Sequence, residues 1–539
     1  MKKIKYWILC LLMLAVIPCA MPRTSAQAKM VAPLPDNYKG TGESSNSPAV
    51  VLRADEKLLE TPIDEAEEVA GETYSPSDRK YAGMPSIART GNRLWATWRS
   101  GYTWEGKYNY FPIVYSEDDG ETWVDPYFIV DHPDAKGSGI GVGTPELWTD
   151  PDGNLWLFYT TGGVWAIKFT GADGDVSKIT WATSHIIYEH LIAKKPTVIK
   201  NAEGQEEWMV ICYSTSNAGL GLTSTAAFVS TDKGESWTER GRAFTDATNL
   251  RKYAEANVYQ TSDGTLYQVC RLDGGGGGLE RSASYDYGKT WSSFERYLGE
   301  PFSGPASKPH YLSLGDGKLL AINHASETSR TALTAYLSED DGKTWQYKLL
   351  LDDREDVSYP DVAYERGKIY IVYDRDRAGA QEIRLARITV EDIKAGKLVS
   401  DSSALRLRLW QNSELKDIVS VQEELPEVLS VALGAKREAA LKSLPTTLHV
   451  TDEDGTVYTL TGSWYLPVSF STEKAASYTA QFRTSALPES LQDAYGKLVV
   501  TVLTKKEDKG CSGALTGLSA IAGILLLGAA LLWKKRSKI

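Results

Sequence analysis

Six equivalent positions in a repeated pattern carry side chains that could do chemistry together. Five of them begin an x-Pro pair that stands six to eight residues before a glycine turn, and Glu255-Ala256 holds the sixth place. Since that spacing is about one β-strand, we expect all six at the same end of equivalent strands. These positions are Met84, Thr144, Lys195, Glu255, Lys308 and Tyr359. One carboxylate, one phenol and two ammonium groups would then converge on one funnel.

Cations occupy a second common position. Arg99, Arg271 and His324 follow their glycine turns by seven or eight residues, and Arg330 comes slightly later. A strand that returns from the turn would bring Arg99, Arg271 and Arg330 to the funnel, whereas we expect a structural role for His324. The formal net charge of the chain is −11. A positive funnel in an acidic chain predicts a small anionic ligand.

Two interleaved repeats predict the elements that position these residues. Turns ending in glycine, each followed by an apolar strand, occur at Gly91, Gly153, Gly204, Gly264, Gly317 and Gly367. Four copies of Ser-x-Asp-x-Gly-x-[Ser/Thr]-Trp, called the Asp-box here, begin at Ser116, Ser230, Ser284 and Ser338. Asp caps this turn and Gly takes a positive φ. Together with a decayed copy from Asp173 to Trp181, the spacing predicts an all-β, six-bladed β-propeller.

The rest of the chain predicts targeting signals and a second domain. We expect a signal peptide at 1–28, a linker at 29–72, the propeller at 73–410, and a small Ig-like β-sandwich at 411–505 with a hairpin around Asp454-Gly455. Residues 506–539 predict a C-terminal transmembrane helix with a basic cytoplasmic tail. The protein would be exported and held in the cell membrane, with the propeller outside.

Several function classes are excluded by the same sequence. Lys and Arg form runs only at the two ends, so we expect no nucleic-acid partner. No spacing of His, Cys and carboxylates suggests a metal site. The glycine run Gly274–Gly278 lacks a following helix or a Lys-Ser/Thr pair, so it does not predict a phosphate loop, and we expect no cofactor. Cys212 and Cys270 are expected to be small buried side chains.

Residues 75–395 resemble the sialidase (neuraminidase) superfamily, in particular bacterial sialidase-like proteins with Asp-box (BNR) repeats. The resemblance implies that Tyr359, in Ser358-Tyr359-Pro360-Asp361, is the nucleophile and that Glu255 is its base. It also implies that Arg271 and Arg330 are the second and third of three arginines that hold a substrate carboxylate. A neutral phenol avoids the repulsion that an anionic nucleophile would meet at such a sugar.

The sequence departs from the family at two places. Gly83 stands where the first arginine is expected, so Arg99, Lys195 or Lys308 would have to substitute for it. The loop from Tyr102 to Asn109 contains no Asp to act as acid/base. Glu105 is its only carboxylate and our candidate acid, and Asn109 is the residue that could stand in place of the Asp.

We therefore predict a cell-surface, exo-acting sialidase-like glycoside hydrolase that removes a terminal acidic sugar, sialic acid or similar, from a glycan. Two alternatives remain open. One is a non-catalytic glycan-binding propeller, an adhesin or sensor, because the first arginine and the Asp are missing. The other is an enzyme that degrades a uronate-containing polysaccharide by hydrolysis or elimination, with Tyr359 as base.

Overall fold

The computed structural model of the chain describes residues 48–505 apart from short gaps. These gaps are 65–66, 133–140, 188–190, 193, 215–223, 245–254, 273–276, 412–415, 417, 437–439, 467–469, 485–487, 489–490 and 492–497. The described residues are almost entirely β-structure. Their helices are α1 (Glu56–Leu59), α2 (Val390–Ala395) and 3-10 turns at Glu67–Val69, Pro76–Asp78 and Val176–Lys178.

Twenty-six strands in the described residues form the larger region. They are β1 (Val50–Arg53), β2 (Ala82–Thr90), β3 (Arg93–Gly101), β4 (Asn109–Ser116), β5 (Val124–Asp131), β6 (Gly143–Thr149), β7 (Leu155–Thr160), β8 (Val164–Thr170), β9 (Thr180–Ile187), β10 (Leu191–Ile192), β11 (Thr197–Lys200), β12 (Glu206–Ser214), β13 (Ser224–Ser230), β14 (Thr238–Phe244), β15 (Ala256–Gln260), β16 (Leu266–Arg271), β17 (Leu279–Ser284), β18 (Glu295–Tyr297), β19 (His310–Gly315), β20 (Lys318–His324), β21 (Leu333–Ser338), β22 (Tyr347–Asp352), β23 (Val357–Glu365), β24 (Lys368–Arg375), β25 (Glu382–Thr389) and β26 (Ala404–Gln411).

These strands form antiparallel sheets that follow one another along the chain. We name them sheet A (order β1-β5-β4-β3-β2), sheet B (β6-β7-β8-β9), sheet C (β10 and β11 on β12, then β13-β14), sheet D (β15-β16-β17-β18), sheet E (β19-β20-β21-β22) and sheet F (β23-β24-β25-β26). The strand β2 of sheet A packs against β6 of sheet B and β23 of sheet F, while β15 of sheet D packs against β11 and β19. The first strands therefore surround a common axis, as in a β-propeller.

The core lies between neighbouring sheets, where apolar faces meet. Trp95, Phe111 and Phe128 of sheet A pack with Leu157 and Phe169 of sheet B in one buried cluster. Strand β2, which packs against sheets B and F, is buried at all but one of its residues and lacks the usual polar alternation. The six apolar strands predicted after the glycine turns all form, as β3, β7, β12, β16, β20 and β24.

The Asp-box turns share one hydrogen-bond pattern. In the first copy, Ser116 Oγ accepts from Gly120 N at 2.8 Å and donates to Asp118 Oδ1 at 2.8 Å. Asp118 Oδ1 also accepts from Thr122 N at 2.9 Å. Gly120 has φ +89, and a Cβ there would lie 2.3 Å from Leu385 Cδ2 of sheet F. The glycine is therefore required both by the backbone and by packing between sheets.

Part of the predicted linker at 29–72 is folded onto sheet A. Strand β1 pairs with the outer edge of β5, from Val50 opposite Asp131 to Arg53 opposite Phe128. The Arg53 guanidinium lies 5.2 Å from the ring centre of Phe128 and 5.3 Å from that of Trp181. The segment thus covers an edge that would otherwise present unpaired backbone groups.

The C-terminal region forms two further sheets. Their strands are β27 (Ile418–Val421), β28 (Val428–Ala432), β29 (Thr447–Asp452), β30 (Val457–Thr461), β31 (Ser463–Tyr465), β32 (Ala476–Arg483) and β33 (Val499–Lys505), in the orders β27-β29-β30 and β28-β33-β32-β31. The predicted hairpin forms from β29 and β30, with Gly455 at φ +83. Leu448, Trp464 and Phe482 belong to the buried core of this region.

The predicted signal peptide at 1–28 and transmembrane segment at 506–539 lie outside the described residues. Among the residues that the structure describes, no helix has the length and apolar character needed to cross a bilayer. The side chains of Cys212 and Cys270 are fully buried, which confirms the sequence interpretation of both.

Candidate active site

Three inner strands are bulged where their x-Pro pairs stand. Met84, Thr144 and Tyr359 have φ values of 56°, 52° and 51°, and the register of β2, β6 and β23 shifts at these residues. A left-handed backbone costs a non-glycine residue about 1–2 kcal/mol. Bulges re-aim side chains and are frequent beside active sites. In β2, β6 and β23 the x-Pro pair thus coincides with a bulge that changes the direction of the side chains at this end of the strand.

Tyr359, Glu255 and Arg271 meet in a buried cluster, as predicted. Tyr359 Oη lies 3.0 Å from Glu255 Oε2 and 3.4 Å from Oε1. Arg271 Nη1 lies 2.6 Å from Glu255 Oε2 and also donates to Tyr359 Oη. The three residues are only 4%, 5% and 6% exposed. Tyr359 comes from β23 of sheet F, Glu255 directly precedes β15 of sheet D, and Arg271 ends β16 of the same sheet. A phenol, a carboxylate and a guanidinium are thus in mutual contact.

The protonation of this cluster suits a phenol beside a base. Burial raises the pKa of Tyr359 well above its ordinary value, and the Glu255 carboxylate raises it further. Burial favours the neutral form of Glu255, but the charges of Arg271 and Lys308 outweigh this and hold the pKa of Glu255 below its ordinary value. At neutral pH Tyr359 is a neutral phenol and Glu255 an acceptor for its proton.

Arg330 also lies beside Tyr359. Its Nη2 donates to the Ala306 carbonyl at 2.7 Å and its Nη1 to Ser358 Oγ at 3.4 Å. The Arg330 Cζ atom is 5.5 Å from the centre of the Tyr359 ring. Burial and the neighbouring charge of Arg377 lower the pKa of Arg330. The hydrogen bonds described for Arg330 go to a carbonyl and a hydroxyl and not to a carboxylate, so its positive charge favours an anionic ligand beside Tyr359.

The place of the expected first arginine is filled by Arg377, from the loop that follows β24. A Cβ on Gly83 would lie 2.7 Å from Tyr81 Oη and 2.8 Å from Arg377 Cδ, closer than van der Waals contact allows. Glycine at 83 is thus what lets Arg377 approach. None of Arg99, Lys195 or Lys308 takes this space; Arg377 was not among the predicted residues.

Arg377 is held against Tyr359 by several partners. Its Cζ atom lies 4.1 Å from the centre of the Tyr359 ring, and its Nη2 lies 3.3 Å from Ser358 Oγ. Asp374 Oδ2 accepts from its Nε at 3.0 Å. Burial opposes the charge, but Asp374 and Tyr81 outweigh it and raise the pKa of Arg377. Three guanidinium groups, of Arg271, Arg330 and Arg377, therefore surround one phenol.

A register count identifies the signal that points to Arg377. Arg271 stands seven residues after Gly264, and Asp374 stands seven residues after Gly367. Arg377 follows Asp374 by three residues, beyond the end of β24. Counting the same distance from Gly367, the last glycine turn, leads to Asp374 and to the nearby Arg377.

Glu105 and Arg99 lie together at the rim. Glu105 accepts from Tyr81 Oη at 3.0 Å, from Arg377 Nη1 at 3.2 Å and from Arg99 Nη1 at 3.4 Å. Its side chain is 32% exposed. Burial lowers the pKa of Arg99, against the effect of Glu105. Glu105 is thus linked to Tyr359 through Arg377 rather than in direct contact with it.

Asn109 serves the loop and not the pocket. Its side-chain oxygen accepts from Gly106 N at 2.6 Å, and its amide donates to the Ser100 carbonyl at 3.0 Å. The residue is fully buried. The interpretation of Asn109 as a replacement for the acid/base Asp is therefore wrong, since its polar atoms already satisfy backbone groups.

The two predicted pocket lysines point toward the axis. Lys195 Nζ lies 2.6 Å from Asp361 Oδ2 and donates to the Ile87 carbonyl at 2.7 Å. Lys308 Nζ lies 2.6 Å from Glu146 Oε1 and 5.5 Å from the Tyr359 ring centre. The placement of Lys195 in the ligand pocket is corrected, because a buried ammonium is drawn to the nearest carboxylate. Lys308 remains close to the Tyr359 ring while it pairs with Glu146.

Comparison with known families identifies the chain. The model of the BNR repeat-like domain matches residues 91–371, slightly more than half of the sequence. The chain belongs to the BNR repeat-like domain family. This confirms the resemblance drawn from the Asp-box repeats. A comparison with curated protein sequences gave no match.

Solved structures similar to this BNR repeat-like protein include several sialidases. The Hadza microbial sialidase Hz136 is 18% identical, with a TM-score of 0.47 over 60% of this chain and 68% of that one. An intramolecular trans-sialidase from Ruminococcus gnavus is 15% identical, with a TM-score of 0.41 over 59% of this chain and 96% of the other. A Trypanosoma rangeli sialidase mutant is 15% identical, with a TM-score of 0.44 over 66% and 61%.

The opposite mouth of the axis in this BNR repeat-like protein has a different lining. A cavity of about 780 Å³ opens there among the glycine turns, lined by residues that include Lys195, Gly204, Gly264, His310 and Tyr364. Tyr364 is 38% exposed. Among the described residues no group of three or more His, Cys, Asp or Glu is arranged to hold a metal ion.

Proposed function

We propose that this BNR repeat-like protein is an exo-acting glycoside hydrolase that removes a terminal acidic sugar, sialic acid or similar, from glycans. The contact of neutral Tyr359 with the Glu255 carboxylate, beneath three arginines, carries the proposal. The membership of the family and the sialidase names of its structural relatives accord with it.

The proposed first step is attack by Tyr359 on the anomeric carbon. Glu255 takes the phenol proton as the bond from Tyr359 Oη to carbon forms and the bond to the leaving oxygen breaks. Arg330 and Arg377, with Arg271, hold the sugar carboxylate by charge-assisted hydrogen bonds. A neutral nucleophile meets no repulsion from that carboxylate. Water then displaces Tyr359, with its proton passing to Glu105 while the Tyr359 oxygen recovers its proton from Glu255, so the reaction retains the anomeric configuration.

The leaving oxygen needs a proton, and Glu105 is the proposed donor. It lies at the rim, partly exposed, where a departing aglycone would lie. Three donors surround it, from Tyr81, Arg99 and Arg377. This arrangement suits an acceptor better than an acid, and it is the observation that favours the second candidate function, a non-catalytic glycan-binding propeller.

The proposal extends to the chain as a whole. We place sheets A to F as six blades at 73–410, with β1 (Val50–Arg53) joining sheet A from the linker at 29–72. We place 411–505 as a small Ig-like domain, 1–28 as a signal peptide and 506–539 as a membrane anchor. The propeller would then meet its substrate outside the cell, with the Ig-like domain as a spacer.

A fluorogenic sialoside tests the proposal directly. Release of the fluorophore, with the first-formed sugar retaining its configuration by NMR, supports the hydrolase. Binding on a glycan array without release would support the binding propeller. Unsaturated products that absorb in the ultraviolet, formed from a uronate polysaccharide, would support the third candidate, with Tyr359 as base.

A further inference from the structure

Asp361 lies two residues after Tyr359 and is the centre of a buried ionic cluster on the axis. We call this the axial cluster. Asp361 pairs with Lys194 Nζ at 3.3 Å and with Lys195 Nζ at 2.6 Å, and it accepts from Ser86 Oγ at 2.6 Å and from Ile87 N at 3.0 Å. The ring nitrogen Nδ1 of His310 lies 3.1 Å away. The Asp361 side chain is 1% exposed. Because it is buried and contacted by several donors, the Asp361 carboxylate is held in a single orientation.

The axial cluster joins several sheets at one carboxylate. Ser86 and Ile87 belong to β2 of sheet A, and His310 belongs to β19 of sheet E. Lys194 and Lys195 come just before β11 of sheet C. Burial favours the neutral form of Asp361, but Lys195 and Lys194 outweigh it and hold the pKa of Asp361 well below its ordinary value. The backbone of β23 is therefore anchored to three other sheets two residues from the phenol.

Lys194 makes one contact that Lys195 does not. Lys194 Nζ donates to the Pro360 carbonyl at 2.7 Å, and its side chain is 2% exposed. Lys195 Nζ donates instead to the carbonyls of Ile87 and Val362, at 2.7 and 3.1 Å. The Pro360 carbonyl belongs to the peptide between Pro360 and Asp361, one residue beyond the left-handed Tyr359 and within the bulge of β23. On the other side, Tyr359 N donates to Ser307 Oγ at 3.2 Å.

We propose that Lys194 is a positioning residue that acts from the axis. By holding the Pro360 carbonyl while Asp361 is fixed, it keeps Tyr359 in its left-handed backbone conformation and so aims the phenol at Glu255. A side chain on the far side of the bulge thereby sets the geometry of the pocket. The proposal rests on the role of Tyr359 proposed above, but its structural part stands apart from any activity.

Two neighbouring variants separate positioning from charge. Lys194→Met and Lys195→Met each remove one ammonium partner of Asp361, and only Lys194→Met frees the Pro360 carbonyl. A misplaced reacting group costs roughly 10- to 100-fold in rate. We expect kcat of Lys194→Met to fall by about that factor with KM within about threefold, and kcat of Lys195→Met to change less than about threefold. Lys194→Arg, which keeps a donor, should recover most of the rate.

Crystal structures of both variants give a readout that needs no turnover. In Lys194→Met we expect φ of Tyr359 to leave the left-handed region and the 3.0 Å contact between Tyr359 Oη and Glu255 to be lost. In Lys195→Met both should persist. Unchanged Tyr359 geometry in Lys194→Met overturns the inference. Should that variant not fold, Lys194→Gln, which keeps a polar but shorter side chain, serves in its place.

Failure of the inference and of the proposed function are distinguishable. A wild-type chain that releases no acidic sugar refutes the hydrolase, while the crystal structures still decide whether Lys194 positions Tyr359. A wild-type chain with full activity, and equal kcat in Lys194→Met at equal folded fraction, refutes only the positioning role.

Discussion

At one mouth of the axis three guanidinium groups surround the ring of Tyr359, and at the other a cavity of about 780 Å³ opens among glycine turns. The first mouth is built from Tyr359 on a bulge and from residues at strand ends or in loops, such as Glu255 and Arg377, whose side chains meet across sheets. The second is built from the tight turns that the repeat itself prescribes. The comparison shows that the repeat builds the framework at both ends. The candidate reactive side chains come from the bulge at Tyr359 and from strand ends and loops outside the repeated turns.

The largest expected effect concerns the phenol itself. Tyr359→Phe removes only the attacking oxygen, so we expect kcat on a fluorogenic sialoside to fall at least about 1000-fold, with ligand affinity within about tenfold. Tyr364→Phe, at the opposite mouth, is the matched control and should leave kcat unchanged. Equal turnover in Tyr359→Phe and the wild-type chain would refute the nucleophile role of Tyr359 and remove the proposed functional difference between the two mouths.

The next effect concerns the arginine that the sequence pattern did not reveal. Losing one charge-assisted contact with a substrate carboxylate costs about 1.5–3 kcal/mol, so Arg377→Met should lower kcat/KM by roughly 10- to 100-fold. Arg375→Met is the matched control, because Arg375 loses its 2.7 Å pair with Glu382 without contacting Tyr359. Steady-state kinetics at equal folded fraction compare them. A similar loss in both variants would mean that Arg377 acts through stability alone.

A smaller effect is expected on stability in acid. Burial lowers the pKa of His324 to about 4, so the native state keeps this ring neutral while the unfolded chain protonates it below about pH 6.5. Its contribution to the unfolding free energy is complete above that pH and is lost at about 1.4 kcal/mol per pH unit between pH 6.5 and 4. His324→Gln should flatten the fall of Tm over this range. An unchanged slope would contradict a neutral buried His324.

The smallest effect is expected at the opposite mouth. Tyr364→Ala alters an exposed residue of the cavity at the opposite end of β23 from Tyr359, and should change kcat/KM by less than about twofold. A larger loss would show that the opposite mouth also contributes to substrate binding, so that the two mouths are energetically coupled. The same sialoside assay measures it.

The fold followed from the sequence because its signals are local. Each Asp-box closes its own turn, as Ser116, Asp118 and Gly120 show, and each glycine turn takes a positive φ within a few residues. Tyr359, Glu255 and Arg271 could be placed together for the same reason, since a strand-length count from a turn fixes the end of a strand.

The rest of the site depended on partners distant in the chain. Arg377 reaches Gly83 because sheets A and F are neighbours, a contact that no local pattern shows. Lys195 turned to the axis because Asp361, which directly follows the Tyr359-Pro360 pair, is buried there. Glu146 attracts Lys308 in the same way from two residues after Thr144. A long side chain follows the nearest buried charge, so its direction cannot be read from register alone.

Arg377 also contributes to the join between the first and last sheets. Its carbonyl accepts from Ala82 N at 2.9 Å, and its partner Asp374 accepts from Met84 N at 2.8 Å. The residue that would grip the ligand therefore helps to close the ring at its seam. In the proposed function, binding of the sugar carboxylate to Arg377 would therefore stabilise the contact between sheets A and F.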